Sequence, residues 1–146
     1  MKKVYKTAFG AILLLFFSCK VEPEMIQYGS DACSFCKMTI VDQQHSAQYV
    51  TQKGKQFKFD AIECMVNDLS EKEMGSLAIL LVAAYDRPGE MVQAPKATYL
   101  ISEEIKSPMG ANLSAFSAGQ TAKEAKDKNG GKIYNWPELL QKFDVE

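Results

Sequence analysis

The chain has 146 residues, 17 Lys+Arg against 18 Asp+Glu, a formal net charge of −1 and 47% hydrophobic residues. That length allows one ordinary domain or two very small ones, and the mixed composition allows a packed body. No basic patch interleaved with aromatics is present, so nucleic acid is excluded as an expected partner.

The N-terminus is set apart. Lys2, Lys3 and Lys6 precede an apolar run at 8–17. This is the pattern of an export signal, and it is too short for a permanent membrane span. The run ends in Phe17-Ser18-Cys19. A small residue before a cysteine, at the end of an apolar core, reads as a lipobox, although Phe16 stands where Leu is more usual. Residues 1–18 are therefore expected to be a lipoprotein signal peptide, with Cys19 as the lipidated residue. An ordinary signal peptide cut nearby is the plainer alternative. Several acyl chains on Cys19 would anchor the chain to a membrane stably, where a single chain would not. Loss of residues 1–18 removes three lysines and leaves 14 basic against 18 acidic side chains, near −4. Residues 19–30, with Pro23, Gly29 and Ser30, read as a tether.

With Cys19 lipidated, Cys33, Cys36 and Cys64 remain. An odd number of thiols is a poor disulfide framework in an exported protein and favours metal or redox use.

The first unit is expected over 31–86. It opens on Cys33-Ser34-Phe35-Cys36-Lys37-Met38, followed by β-branched residues at 39–41. Runs at 46–51 and 56–59, joined by the polar turn Gln52-Lys53-Gly54-Lys55, predict a hairpin. Asp60 with Glu63 resembles a capping box, and Ile62, Met65, Val66 and Leu69 give one apolar helical face. The nearly continuous apolar run 77–85 predicts a buried strand. The unit reads ββαβ.

Asp86-Arg87-Pro88-Gly89-Glu90 breaks the chain, and a second unit is expected over 91–146. Val92 and 97–101 suggest strand, Ser107-Pro108-Met109-Gly110 a loop, and 113–116 another strand. Thr121 with Glu124 predicts a capped helix stopping at Asn129-Gly130-Gly131. A strand at 132–134 follows. Asn135 with Glu138 then caps a last helix carrying Trp136, Leu139, Leu140 and Phe143. The expected fold is α+β: two small related ββαβ units plus a C-terminal helix. Each half has a Met-bearing loop, a strand ending in Phe (Phe59, Phe116) and a capped helix.

The sulfur loop admits three chemistries. A thiol-disulfide enzyme wants its CxxC at a helix N-terminus, where the thiol pKa falls, but the residues after Cys36 read as strand. A structural zinc site wants four ligands, commonly two knuckles. Here one knuckle is joined only by scattered Cys64 and His45. Thiolate and thioether together select Cu(I). Cys33, Cys36 and Met38 supply three soft donors in one loop, and Met109 offers a fourth from a Pro-Met-Gly loop. Plainer uses stand beside these. Cys33 and Cys36 could form a local disulfide, Cys64 could be a buried small hydrophobe or could face the site, and His45, among Gln43, Gln44 and Ser46, reads as solvated. No Gly-x-Ser-x-Gly, phosphate loop or dinucleotide fingerprint suggests an enzyme.

Taken together, the motifs resemble the NosL family of accessory lipoproteins for nitrous oxide reductase. The resemblance rests on Cys33-x-x-Cys36-x-Met38, on Phe59-Asp60-Ala61-Ile62-Glu63-Cys64, and on Pro108-Met109-Gly110 before Leu113-Ser114-Ala115-Phe116. Gly130-Gly131 and Trp136-x-Glu138-Leu139 complete it. It implies a periplasm-facing, lipid-anchored Cu(I) chaperone, not an enzyme. The expected partner is a copper-accepting enzyme, nitrous oxide reductase with its assembly factors, whose copper-sulfide centre is supplied. It also implies a fold similar to part of organomercurial lyase. Carried over by position, Cys36, Met38 and Met109 are the implied copper ligands, with Cys33 beside them. Cys64 and Asp60 form a candidate second cluster. Ser34 and Lys37 depart from the family, which often has His and Gly there. A thiol enzyme (disulfide exchange or organomercurial cleavage) and a zinc- or disulfide-stapled interaction module are the alternative functions.

Overall fold

The structure, a computed structural model, describes residues 21–145. The expected signal peptide and Cys19 lie outside the described residues. The first half builds β1 (Ala47–Thr51), β2 (Gln56–Phe59), α1 (Ile62–Leu69), β3 (Leu77–Ala83) and β4 (Met91–Gln93). The strands form one antiparallel sheet in the order β2-β1-β3-β4. The second half builds β5 (Thr98–Ile101), β6 (Leu113–Phe116), α2 (Gly119–Asn129), β7 (Lys132–Tyr134) and α3 (Trp136–Lys142). Its strands form a second antiparallel sheet, β6-β5-β7. Both halves therefore run ββαβ, as the sequence pattern predicts, and in each sheet the first strand lies between the second and third. β4 differs. Val92 was expected to open the second half, but the turn at 86–90 folds back and pairs Val92 with Val82, widening the first sheet.

The hairpin forms because Gly54 takes a left-handed φ of 80°, which glycine adopts at little cost. Period-two alternation then sends Ala47, Tyr49 and Phe59 to one face. Tyr49 lies opposite Phe57, with ring centroids 4.7 Å apart. α1 packs Ile62, Met65, Val66 and Leu69 into the same core, all fully buried. Tyr49 Oη also donates to Asp68 Oδ2 at 2.6 Å, fastening strand to helix. β3 is less buried than its apolar run suggests. Ala78 is exposed and 79–81 are half-buried.

One core joins the halves. It holds Tyr49, Ile62 and Met65 together with Tyr99, Leu113, Trp136 and Leu139. The backbone crosses between sheets where Tyr85 N–H donates to Ala115 O at 2.7 Å. His45, expected to be solvated, is 4% exposed and acts as a second crossing point. Its Nδ1 lies 2.9 Å from Asp42 Oδ2 and its Nε2 3.1 Å from Ser114 Oγ on β6. Its polar neighbours in sequence pointed to solvent, but Ser114, the partner that draws it between the sheets, lies 69 residues away and local sequence cannot indicate it.

Two of the three expected capping boxes are absent. α1 begins after Ala61 with no side-chain cap bond, so Asp60 does not cap it. α2 begins after Ala118, also without one, two residues before Thr121. The third box is formed: Asn135 Oδ1 accepts from Glu138 N–H and Glu138 Oε2 from Asn135 N–H, each at 2.9 Å. Asn135→Ala is expected to lower stability by about 0.5–2 kcal/mol, read from the urea midpoint. Among the described residues, no helix is long and apolar enough to cross a membrane.

Candidate metal centre

The segment 33–38 is a tight knuckle, not the start of a strand. Cys33 N–H donates to Met38 O at 2.8 Å and Lys37 N–H to Cys33 O at 3.1 Å. Beyond it, 39–41 makes only a single bridge, Ala32 with Thr39. Lys37 sits at φ 68°, a left-handed position that costs a residue with a Cβ roughly 1–2 kcal/mol. A glycine here would avoid that cost. The knuckle is held to the edge of the first sheet by Ser34. Its N–H donates to Lys58 O at 2.7 Å and its Oγ accepts from Lys58 N–H at 3.2 Å.

A third thiol completes the group. Cys64, in the first turn of α1, points at the knuckle, and the sulfurs of Cys33, Cys36 and Cys64 all lie within 4.8 Å of one another. An ion about 2.3 Å from each sulfur would hold two of them no more than about 4.6 Å apart. The spacing is therefore already close to what a bound metal requires. All three cysteines are free. Cys33 and Cys64 are each 1% exposed, whereas Cys36 is half-buried and opens toward solvent. Cys64, a candidate for a second cluster with Asp60, groups here with the CxxC pair, and the three sulfurs come together without Asp60. The first turn of α1 is buried on every side, so a residue about 200° from Ile62 still faces protein.

The charges in the cluster are unequal. The Cys64 S–H bond, aided by backbone N–H groups of Asp60, Cys36 and Phe35, holds the Cys33 thiol far below its ordinary pKa against the opposing effect of burial. Cys64 is correspondingly pushed up, first by its bond to Cys33 and then by burial. Burial raises Cys36. Asp60 is raised by burial and then by the charge on Cys33. Cys33 is thus the thiol most disposed to ionise, Cys36 and Cys64 are held toward the protonated form, and a metal that takes all three sulfurs displaces protons.

Asp60 is 2% exposed, and its Oδ1 has no hydrogen-bond partner among the described residues. Glu63, missed as a site residue in the sequence, is equally buried. Its Oε1 accepts from Ser107 Oγ–H and from Ala111 N–H at 3.2 Å. That carboxylate ties the loop carrying Met109 to the residue beside Cys64. Met38 is 54% and Met109 42% exposed. Along with Phe35, Val41 and Met25, they are the large apolar side chains left exposed among the described residues. Core filling therefore does not explain the two methionines. His45, with both ring nitrogens engaged, stands outside the cluster.

Three similarities bear on this centre. The copper-binding lipoprotein NosL of Stutzerimonas stutzeri is 26% identical over 122 residues, covering 78% of this chain. The chain spans 64% of the length of that relative. The crystal structure of the copper chaperone NosL from Shewanella denitrificans superposes with a TM-score of 0.73 at 18% identity, over 84% of this chain and 98% of that one, and shares the fold. Both are named for copper binding or carriage, neither for an enzymatic activity. The NosL family model matches residues 26–143, which take in the knuckle, α1, the Met109 loop and both sheets, and the chain belongs to the NosL family.

Proposed function

We propose that this chain is an exported, lipid-anchored Cu(I) carrier that gives up its copper by ligand exchange to an exported copper enzyme. The observation that carries this reading is the grouping of three cysteine sulfurs within 4.8 Å, with one thiol on the solvent side. Soft sulfur donors select Cu(I) among available metals. The sole histidine is occupied elsewhere, and among the described residues the donors that group are the three cysteine sulfurs. Cys33 and Cys64 retain the ion from the buried side. Cys36, with the thioethers of Met38 and Met109, provides the more accessible donors. An incoming sulfur ligand of the acceptor takes one of these places before the buried thiolates release, so copper is never free in solution.

Anchoring through Cys19 at a membrane facing the periplasm follows from the lipobox pattern. It is supported by a relative named as a lipoprotein. The client implied by the family resemblance is nitrous oxide reductase, with its assembly factors, during construction of the copper-sulfide centre.

Anaerobic titration of residues 20–146 with Cu(I) against a chromophoric chelator tests the carrier reading. The expected result is one tightly held Cu(I) per chain, with no bound Cu(II) signal in electron paramagnetic resonance. Stoichiometric zinc that Cu(I) does not displace would instead establish a structural zinc module.

A further inference from the structure

We propose that Glu63 is the positioning residue that sets the Met109 thioether against the thiol cluster, as a brace between α1 and the Pro-Met-Gly loop. The inference rests on reading Met109 and the three thiols as one copper site. A carboxylate that is 2% exposed in a helix otherwise packed with Ile62, Met65, Val66 and Leu69 is costly unless it is engaged. Glu63 is engaged through Oε1, while Oε2 has no hydrogen-bond partner among the described residues, and the partners of Oε1 belong to one loop. Oε1 receives Ser107 Oγ–H and Ala111 N–H, 44 and 48 residues away in sequence.

The loop is wound about the same serine. Ser107 Oγ accepts from Asn112 N–H at 2.8 Å and Ser107 O from Gly110 N–H at 3.1 Å. Gly110 and Asn112 hold φ values of 81° and 55°, so the loop reverses tightly around Met109. Ala111 packs against the core that contains Cys33 and Cys64. The carboxylate thus reaches both sides of Met109 from the helical residue adjacent to Cys64. Any slackening of the brace frees the loop tip relative to the thiols, while the thiols keep their own positions through the knuckle and α1.

The test separates positioning from general stability. In the full chain, Glu63→Ala is expected to weaken Cu(I) binding by about 10–100-fold, as loss of an outer-shell partner does. Glu63→Gln keeps an oxygen acceptor for Ser107 and Ala111 and is expected to stay within about threefold of the unaltered chain. The defining comparison is made in a Met109→Leu background. There Glu63→Ala is expected to add less than about threefold, because the group it positions is gone. Ser107→Ala, a smaller lesion in the same brace, serves if Glu63→Ala does not fold, and it should show the same dependence on Met109. With methionine methyl groups labelled with carbon-13, the Met109 signal should shift on Cu(I) addition in the unaltered and Glu63→Gln chains, and not in Glu63→Ala. An unchanged affinity in both Glu63→Ala and Ser107→Ala, or an equal loss with and without Met109, overturns the proposal. Cys36→Ser, measured alongside, distinguishes this from failure of the copper reading. If that variant also keeps full affinity, the copper site itself is wrongly assigned.

Discussion

Cys36→Ser is expected to weaken Cu(I) binding by well over the roughly 100-fold that outer-shell changes reach, while leaving the fold intact. The substitution keeps size and replaces a soft donor by a hard hydroxyl that Cu(I) binds poorly. Cys36 is half-buried and makes no core-filling contribution comparable to Cys33 or Cys64, which are each 1% exposed. Its loss therefore falls on the metal. Thermal denaturation with and without Cu(I) provides an independent reading. A ligand at about 100 times its dissociation constant stabilises the folded chain by about 2.7 kcal/mol, and that increment should vanish in Cys36→Ser. Cys33→Ser should lose as much affinity and also destabilise the apo chain. The Cys64 S–H and three backbone N–H groups converge on the Cys33 sulfur and lower its pKa, and a serine hydroxyl, which does not ionise, would meet the same donors less favourably. Met65→Leu, a volume-conserving change at a fully buried methionine, is the control and should leave affinity unchanged. Unaltered affinity in Cys36→Ser would remove the thiol cluster from copper binding.

The ββαβ repeat was readable because each element carries its own periodicity. Tyr49, Phe57 and Phe59 alternate, and Ile62, Met65, Val66 and Leu69 recur at helical spacing. The CxxCxM loop and the Pro-Met-Gly loop were readable as soft-donor motifs. What was not readable depends on contacts distant in sequence. Cys64 joins Cys33 and Cys36 only because α1 packs its first turn beneath the knuckle. Asp60 and Glu63 have the spacing of a capping box, yet Ala61 starts the helix and Glu63 turns to Ser107. Spacing of residue types specifies a cap only where no better partner exists in three dimensions, and here the loop carrying Met109 supplied one. His45 is the same case, drawn into the interior by Asp42 and by Ser114 of the other sheet.

Gly131→Ala is expected to cost about 2–6 kcal/mol, combining about 1–3 for left-handed backbone strain with about 1–3 for overpacking. Gly131 has φ 97°, and a Cβ there would lie 2.2 Å from Ile101 O and 2.9 Å from Ser102 Cβ. The obstruction is backbone of β5, the central strand of its sheet, which β6 and β7 pin from both sides. No side-chain rotation relieves it. Gly130 is the comparison. It also has positive φ, at 70°, but a Cβ there meets nothing within 4 Å, so Gly130→Ala should cost only the strain, about 1–3 kcal/mol. Against a total stability of about 5–15 kcal/mol, the first change endangers folding and the second does not. Urea denaturation of both variants measures the difference, and equal midpoints would refute the close-approach argument. The effect should reach the metal as well. Ser102, against which the new methyl would press, donates its N–H to Asn112 O at 3.2 Å, at the base of the Met109 loop. Gly131→Ala that remains folded in the cold should therefore bind Cu(I) more weakly than Gly130→Ala, because displacing Ser102 moves the loop that Glu63 holds.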